Sequence, residues 1–134
     1  MEKHFPLYHL LTKARDLLVD EVAGLGKATA TSLLALMPEL GSLDRKQVAS
    51  LAGVAPYPYE SGKKIGYRKT YGGRADLKPV LFMSAMTASR SNGKLGTFYN
   101  KLVENGKKKM VALIAVMRKI IVIANAKIRD LKIS

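Results

Sequence analysis

Cysteine is absent from the 134 residues, which excludes disulfides and thiolate metal sites. Histidine occurs twice, as His4 and His9, both near the N-terminus. There is no HxxxH pair and no tight acidic cluster. Asp16, Asp20 and Glu21 lie close together, but at helical spacing they read as a solvated face. A self-contained metal site, and with it a metal-dependent nuclease complete in this chain, is therefore not expected. No apolar run is long enough to span a bilayer. The most apolar stretch, Met110–Ala126, is interrupted by Arg118 and Lys119 and falls short of the roughly 20 residues a span needs. It reads as a core helix carrying those two cations on one exposed edge. The opening MEKHFPLYHLL places Glu2, His4 and Pro6 where a secretory h-region should build, so the expected location is cytoplasmic and no membrane partner is expected. Strand-like alternation and internal repeats are also missing.

What is present is one domain's worth of chain with 48% hydrophobic residues. That suffices for a real core and argues against disorder. The net charge is +13, unevenly placed. Residues 1–60 hold six Lys/Arg against seven Asp/Glu, a net of −1, whereas residues 61–134 hold seventeen against three, a net of +14. Such a field attracts phosphate backbones, because cations that replace condensed counterions release them.

Apolar spacing predicts helices over Leu7–Asp20, Lys27–Met37, Asp44–Ala52, Ala75–Arg90, Leu95–Glu104 and Lys108–Asp130. Asp44, with Gln47 three residues on, is a capping-box signature. Leu77, Val80, Leu81, Met83, Ala85 and Met86 are the apolar positions available for burial in the fourth of these helices. The fold class is all-α: a single helical domain interrupted by one loop of about 20 residues, a length usually tied to function or disorder.

Two segments carry candidate chemistry. GLGK at 24–27 is not a phosphate-binding P-loop, since that motif needs glycine at 21 and Ser or Thr at 28, where Glu21 and Ala28 stand. It reads either as a plain helix–helix turn or as a helix-hairpin-helix. In the second case Gly24 and Gly26 admit a phosphate close to the backbone, at the helix N-terminus that begins with Lys27. The loop at 57–74, YPYESGKKIGYRKTYGGR, interleaves Tyr57, Tyr59, Tyr67 and Tyr71 with Lys63, Lys64, Arg68, Lys69 and Arg74. The cations suit a nucleic-acid backbone and the rings suit stacking on bases. Ser61 stands at the head of the basic run. Its hydroxyl can attack phosphorus if cations neutralise the phosphate and a base takes its proton. The chain offers no obvious base, and from its chemistry alone Ser61 reads first as an ordinary Ser-Gly turn residue.

The order of motifs adds to this. GLGKATA (24–30), LGSLDRKQVASLAGVAPY (40–57), SGK (61–63), GGR (72–74) before a helix, and GKKKMVALIAVMRK (106–119) together resemble the C-terminal transposase domain of the IS-one-ten family. That family comprises insertion-sequence transposases and related pilin-inversion recombinases. The resemblance covers about Val22 to Asp130. It implies DNA recombination, DNA as partner, a structured guide RNA, homo-oligomers, and a serine nucleophile that joins covalently to DNA. That serine falls on Ser61, with Lys63, Lys64, Arg68, Lys69 and Arg74 facing nucleic acid and Gly24 and Gly26 forming the hairpin. The family pairs this domain with an N-terminal RuvC-like domain that has an Asp-Glu-Asp-Asp metal site. No cofactor is expected within this chain, and magnesium belongs to that other domain. The resemblance thus divides the chain into a leader helix or linker remnant, 1–21, and a transposase domain, 22–134. A truncated transposase, a gene remnant or one part of a split protein is the expectation, with a non-catalytic DNA- or RNA-binding remnant as the alternative. Ala23 stands where the family usually has proline.

Overall fold

A computed structural model describes residues 7–55, 74 and 76–133. The chain is all-α: the described residues form α1 (Leu7–Glu21), α2 (Lys27–Leu36), α3 (Arg45–Leu51), α4 (Leu77–Ser89), α5 (Lys94–Glu104) and α6 (Lys109–Ile133), with no strand among them. Each falls within a few residues of its predicted span.

Helix α6 is the axis. It buries Ala112, Leu113, Val116, Met117, Ile120, Ile121, Ala124, Asn125 and Ile128, the three-and-four spacing of one helical stripe. Helices α1, α3, α4 and α5 all pack on it, while α2 packs on α1 and α4. The result is one continuous apolar cluster that takes Ala14 and Leu18 from α1, Leu33 from α2, Leu81 from α4, and Ile120 and Ile121 from α6. Each fully buried Leu or Ile contributes about 1.5–3 kcal/mol.

Local chemistry sets the ends. Asp44 accepts from the Gln47 amide at 2.7 Å, and the Gln47 side chain accepts from the Asp44 amide at 3.0 Å. That reciprocal pair starts α3. Pro79 sits in the first turn of α4, where its missing N–H has no intrahelical partner to lose. Asn125, 2% exposed, ties the 41–43 turn to α6. Its side chain accepts from the Gly41 amide and donates to the Leu43 carbonyl, both at 2.7 Å.

Two expectations need correction. Arg118 and Lys119 do not share an exposed edge. Lys119 is exposed and sits 4.6 Å from the centre of the Phe98 ring. Arg118 turns inward and donates from Nε to the Val54 carbonyl at 2.8 Å, and burial pulls its guanidinium below the ordinary arginine range. Met83, expected to be available for burial, is 63% exposed. The core stripe of α4 runs through Leu77, Leu81, Ser84, Ala85 and Ala88, and Met83 lies off it.

Candidate nucleic-acid interface

Ser61, Lys63, Lys64, Arg68 and Lys69, together with Tyr57, Tyr59, Tyr67 and Tyr71, lie outside the described residues. The structure does describe how their loop is fastened at both ends. On the entering side, Val54 is 1% exposed and its amide donates to the Ala49 carbonyl at 2.9 Å. Its own carbonyl accepts from Arg118. On the leaving side, the Arg74 amide donates to the Leu51 carbonyl at 2.8 Å. The entry and exit strands of the loop therefore meet at the C-terminal end of α3.

The Arg74 side chain completes the fastening. One guanidinium nitrogen donates to the Leu36 carbonyl and to Glu39 Oε1, both at 2.8 Å. The other donates to Glu39 Oε2. This bidentate fork matches the carboxylate geometry. It holds the Glu39 carboxyl below the usual glutamate range, and the same bonds raise Arg74. Both side chains remain about a third exposed, at 37% for Arg74 and 34% for Glu39. Arg74 was expected to face nucleic acid. In the structure its guanidinium bonds to Glu39 and to the Leu36 carbonyl at the end of α2. Sequence reasoning did not single out Glu39, the partner of Arg74. It lies 35 positions from its partner, and no local pattern links the two.

The glycine hairpin is described in full. Gly24 has φ of +87°, and a Cβ there would stand 2.4 Å from the Ser84 carbonyl oxygen of α4. Its glycine is thus required by backbone conformation and by close packing within the fold. Gly26 precedes α2 in extended conformation, with nothing within 4 Å of where a Cβ would lie. Lys27 opens α2 and is exposed. The cleft beside this hairpin, about 740 Å³, is bordered by Asp20 and Glu21 as well as by the glycines. Two carboxylates beside a phosphate site oppose an anion. One of them, Glu21, is paired with Lys127 at 3.2 Å. Among the described residues, no three His, Asp or Glu side chains are grouped to hold a metal, and no helix is long and apolar enough to cross a membrane.

The comparisons with known proteins converge on one family. Residues 16–100 match the Transposase IS116/IS110/IS902 family. The chain belongs to that family. It is 34% identical over 120 residues to the pilin gene-inverting protein of Moraxella lacunata, covering 87% of this chain and 37% of the relative. It is 29% identical over 121 residues to the insertion element IS116 uncharacterized 44.8 kDa protein of Streptomyces clavuligerus, covering 89% of this chain and 30% of that protein. A 43.6 kDa protein of insertion element IS110 from Streptomyces coelicolor is 31% identical over 114 residues. The chain therefore spans about a third of the length of these members of the transposase family.

Proposed function

We propose that this chain is the DNA-handling segment of an insertion-sequence transposase or DNA-inverting recombinase, with Ser61 as nucleophile. The observation that carries the reading is the fastening of the 55–74 loop. In a member of a transposase family, a segment holding one serine and four cations, Lys63, Lys64, Arg68 and Lys69, is anchored by buried Val54 and by the Arg74–Glu39 fork. A frame of that kind positions a loop that must meet a phosphate, because misplacement of about 1 Å can cost a hundredfold in rate.

In the proposed step, Ser61 Oγ bonds to phosphorus while the bond to one ester oxygen breaks. The serine proton passes to a base, and the leaving oxygen is protonated. The loop cations offset the charge that builds on the phosphate. An unperturbed serine hydroxyl is a weak nucleophile at neutral pH, and no metal cluster is present among the described residues. We therefore assign the activating group to a RuvC-like metal domain that uses magnesium, with homo-oligomers and a structured guide RNA as further partners. Magnesium chemistry is placed in that domain, and no residue of this chain is given the role of ligand.

The test is adduct formation. The isolated chain should neither cut nor join DNA, with or without magnesium. With a matching metal domain and guide RNA supplied, a covalent protein–DNA adduct should form. It should vanish in Ser61→Ala and persist when Tyr57, Tyr59, Tyr67 or Tyr71 is changed to Phe. Loss in a tyrosine variant and survival in Ser61→Ala would reassign the nucleophile. Unaided cutting would overturn the assignment of the activating group to the metal domain. DNA binding with no adduct under any condition would favour a non-catalytic DNA- or RNA-binding remnant.

A further inference from the structure

Away from the 55–74 loop, a polar cleft of about 570 Å³ opens where the end of α4, the 90–93 turn, the middle of α5 and the start of α6 meet. Arg90 and Lys109 bring two positive charges to its lining, Asn92 and Asn100 bring two side-chain amides, and Tyr99 brings a ring. Met86 and Leu113 supply apolar surface. Arg90, Asn92, Asn100 and Lys109 are exposed, Tyr99 is half-buried and Leu113 is buried. No carboxylate lines it, in contrast to the hairpin cleft with Asp20 and Glu21. The surrounding sequence agrees: residues 77–103 contain no Asp or Glu.

The wall is rigid. Ser91 Oγ donates to the Ala88 carbonyl at 2.7 Å and accepts from the Gly93 amide at 3.3 Å. Gly96, in the first turn of α5, packs so closely on this turn that a Cβ would stand 2.0 Å from the Ser91 carbonyl oxygen. The sequence therefore holds the 90–93 turn tightly against α5.

We propose that this cleft binds an unpaired nucleotide of a nucleic-acid strand. Its contents match the parts of that ligand. Two cations suit a phosphodiester. Two amides, each both donor and acceptor, suit a base edge. A half-buried ring over apolar surface suits a base face. The volume lies within the range of preformed ligand pockets, roughly 300–1,000 Å³. A duplex fits this chemistry poorly, because its base faces are stacked and out of reach. An acidic peptide would use the cations and leave the amides and ring without a role. The inference does not depend on Ser61 or on the catalytic reading of its loop.

The test uses the full chain and three labelled probes: a short oligothymidylate, an oligouridylate of equal length, and a blunt hairpin duplex. Tyr99→Ala should weaken binding of single strands by about tenfold, the usual scale of one stacked base, with duplex binding little changed. Tyr99→Phe should retain affinity. R90Q/K109Q changes exposed side chains only, so it keeps the test valid if Tyr99→Ala fails to fold. It should weaken single-strand binding and lower the salt slope by about 1.4. Loss on either the DNA or the RNA strand supports the cleft, and the probe affected names the source. Wild-type single-strand affinity in R90Q/K109Q, or equal losses on strand and duplex, would overturn it. A K63Q/K64Q variant measured alongside separates the two sites. Full duplex affinity there would sink the loop reading and leave the cleft standing.

Discussion

Asn125 shows how much can rest on one buried amide. Its side chain satisfies the Gly41 amide and the Leu43 carbonyl across 84 and 82 positions. Asn125→Ala orphans the buried Gly41 amide and the half-buried Leu43 carbonyl, at about 1–3 kcal/mol for each. Chemical denaturation should therefore report a loss of about 2–6 kcal/mol. Asn125→Asp should also lose stability, because the Leu43 carbonyl then faces an acceptor. Glu39 is a second such residue, and its effect depends on pH. Its folded pKa is depressed by the Arg74 hydrogen bonds. A depressed carboxyl adds stability that is fully present above the ordinary glutamate pKa and lost as pH falls through the lower folded value. The wild-type melting temperature should therefore fall on acidification below about pH 4 by an increment that Glu39→Gln lacks. Matching acid profiles for the two proteins would show that the fork contributes nothing to stability. The raised pKa of Arg74 adds no transition near neutrality, since arginine is already fully charged there. Neither residue announced itself in the sequence. An asparagine in an apolar helix and a glutamate after Pro38 look ordinary until distant chain segments are brought beside them.

Elements were far more legible, because their signals are local. The three-and-four spacing marked α6, and Asp44 with Gln47 marked the start of α3, where the capping box is present in full. Asp44→Ala should cost about 1 kcal/mol, read as a lower urea midpoint with an unchanged slope. What periodicity could not show is which apolar residues in a helix find a neighbour. Leu10 and Leu11 fit the predicted stripe of α1, yet they are 43% and 44% exposed. They border a largely apolar groove of about 530 Å³ between α1, α2 and the end of α6. Met83 fails for the same reason on α4. The GLG turn was legible as a turn but not as a packing site. Gly24 is needed both for its positive φ and for the approach of α4. Gly24→Ala should therefore destabilise by more than the 1–2 kcal/mol of a left-handed backbone alone, because backbone must move as well. Gly26→Ala meets open space and loses only the N-cap preference for glycine over alanine, so it should cost about 0.5–1 kcal/mol. If Gly26→Ala nevertheless weakens DNA binding while the fold holds, the hairpin contacts nucleic acid in spite of Asp20 and Glu21.

For the whole molecule, the decisive quantity is where the charge acts. Residues 61–134 carry a net +14 while residues 1–60 carry −1, so binding to DNA should fall steeply with salt. Each phosphate neutralised on a duplex adds about 0.9 to the slope of log affinity against log salt. Two sets of cations compete for the leading part. Lys63, Lys64, Arg68 and Lys69 fall in the loop fastened by Val54 and Arg74. Lys101, Lys107 and Lys108 are exposed around the α5–α6 connection, with Glu104 in the same stretch. Long-range attraction does not separate them, because every charge contributes to the field within a Debye length of about 8–10 Å. Counterion release does, since it counts only cations that replace ions at the phosphates. If the loop is the main contact, K63Q/K64Q/R68Q/K69Q should flatten the duplex salt slope by about three to four, and K101Q/K107Q/K108Q should change it by less than one. A filter-binding series from about 50 to 200 mM salt spans the range in which such slopes are read. The reverse ranking would move the interface to the α5–α6 end of the molecule. A flat wild-type series, with binding to anionic vesicles instead, would mean that the charge is directed at a lipid surface and that the nucleic-acid reading is wrong.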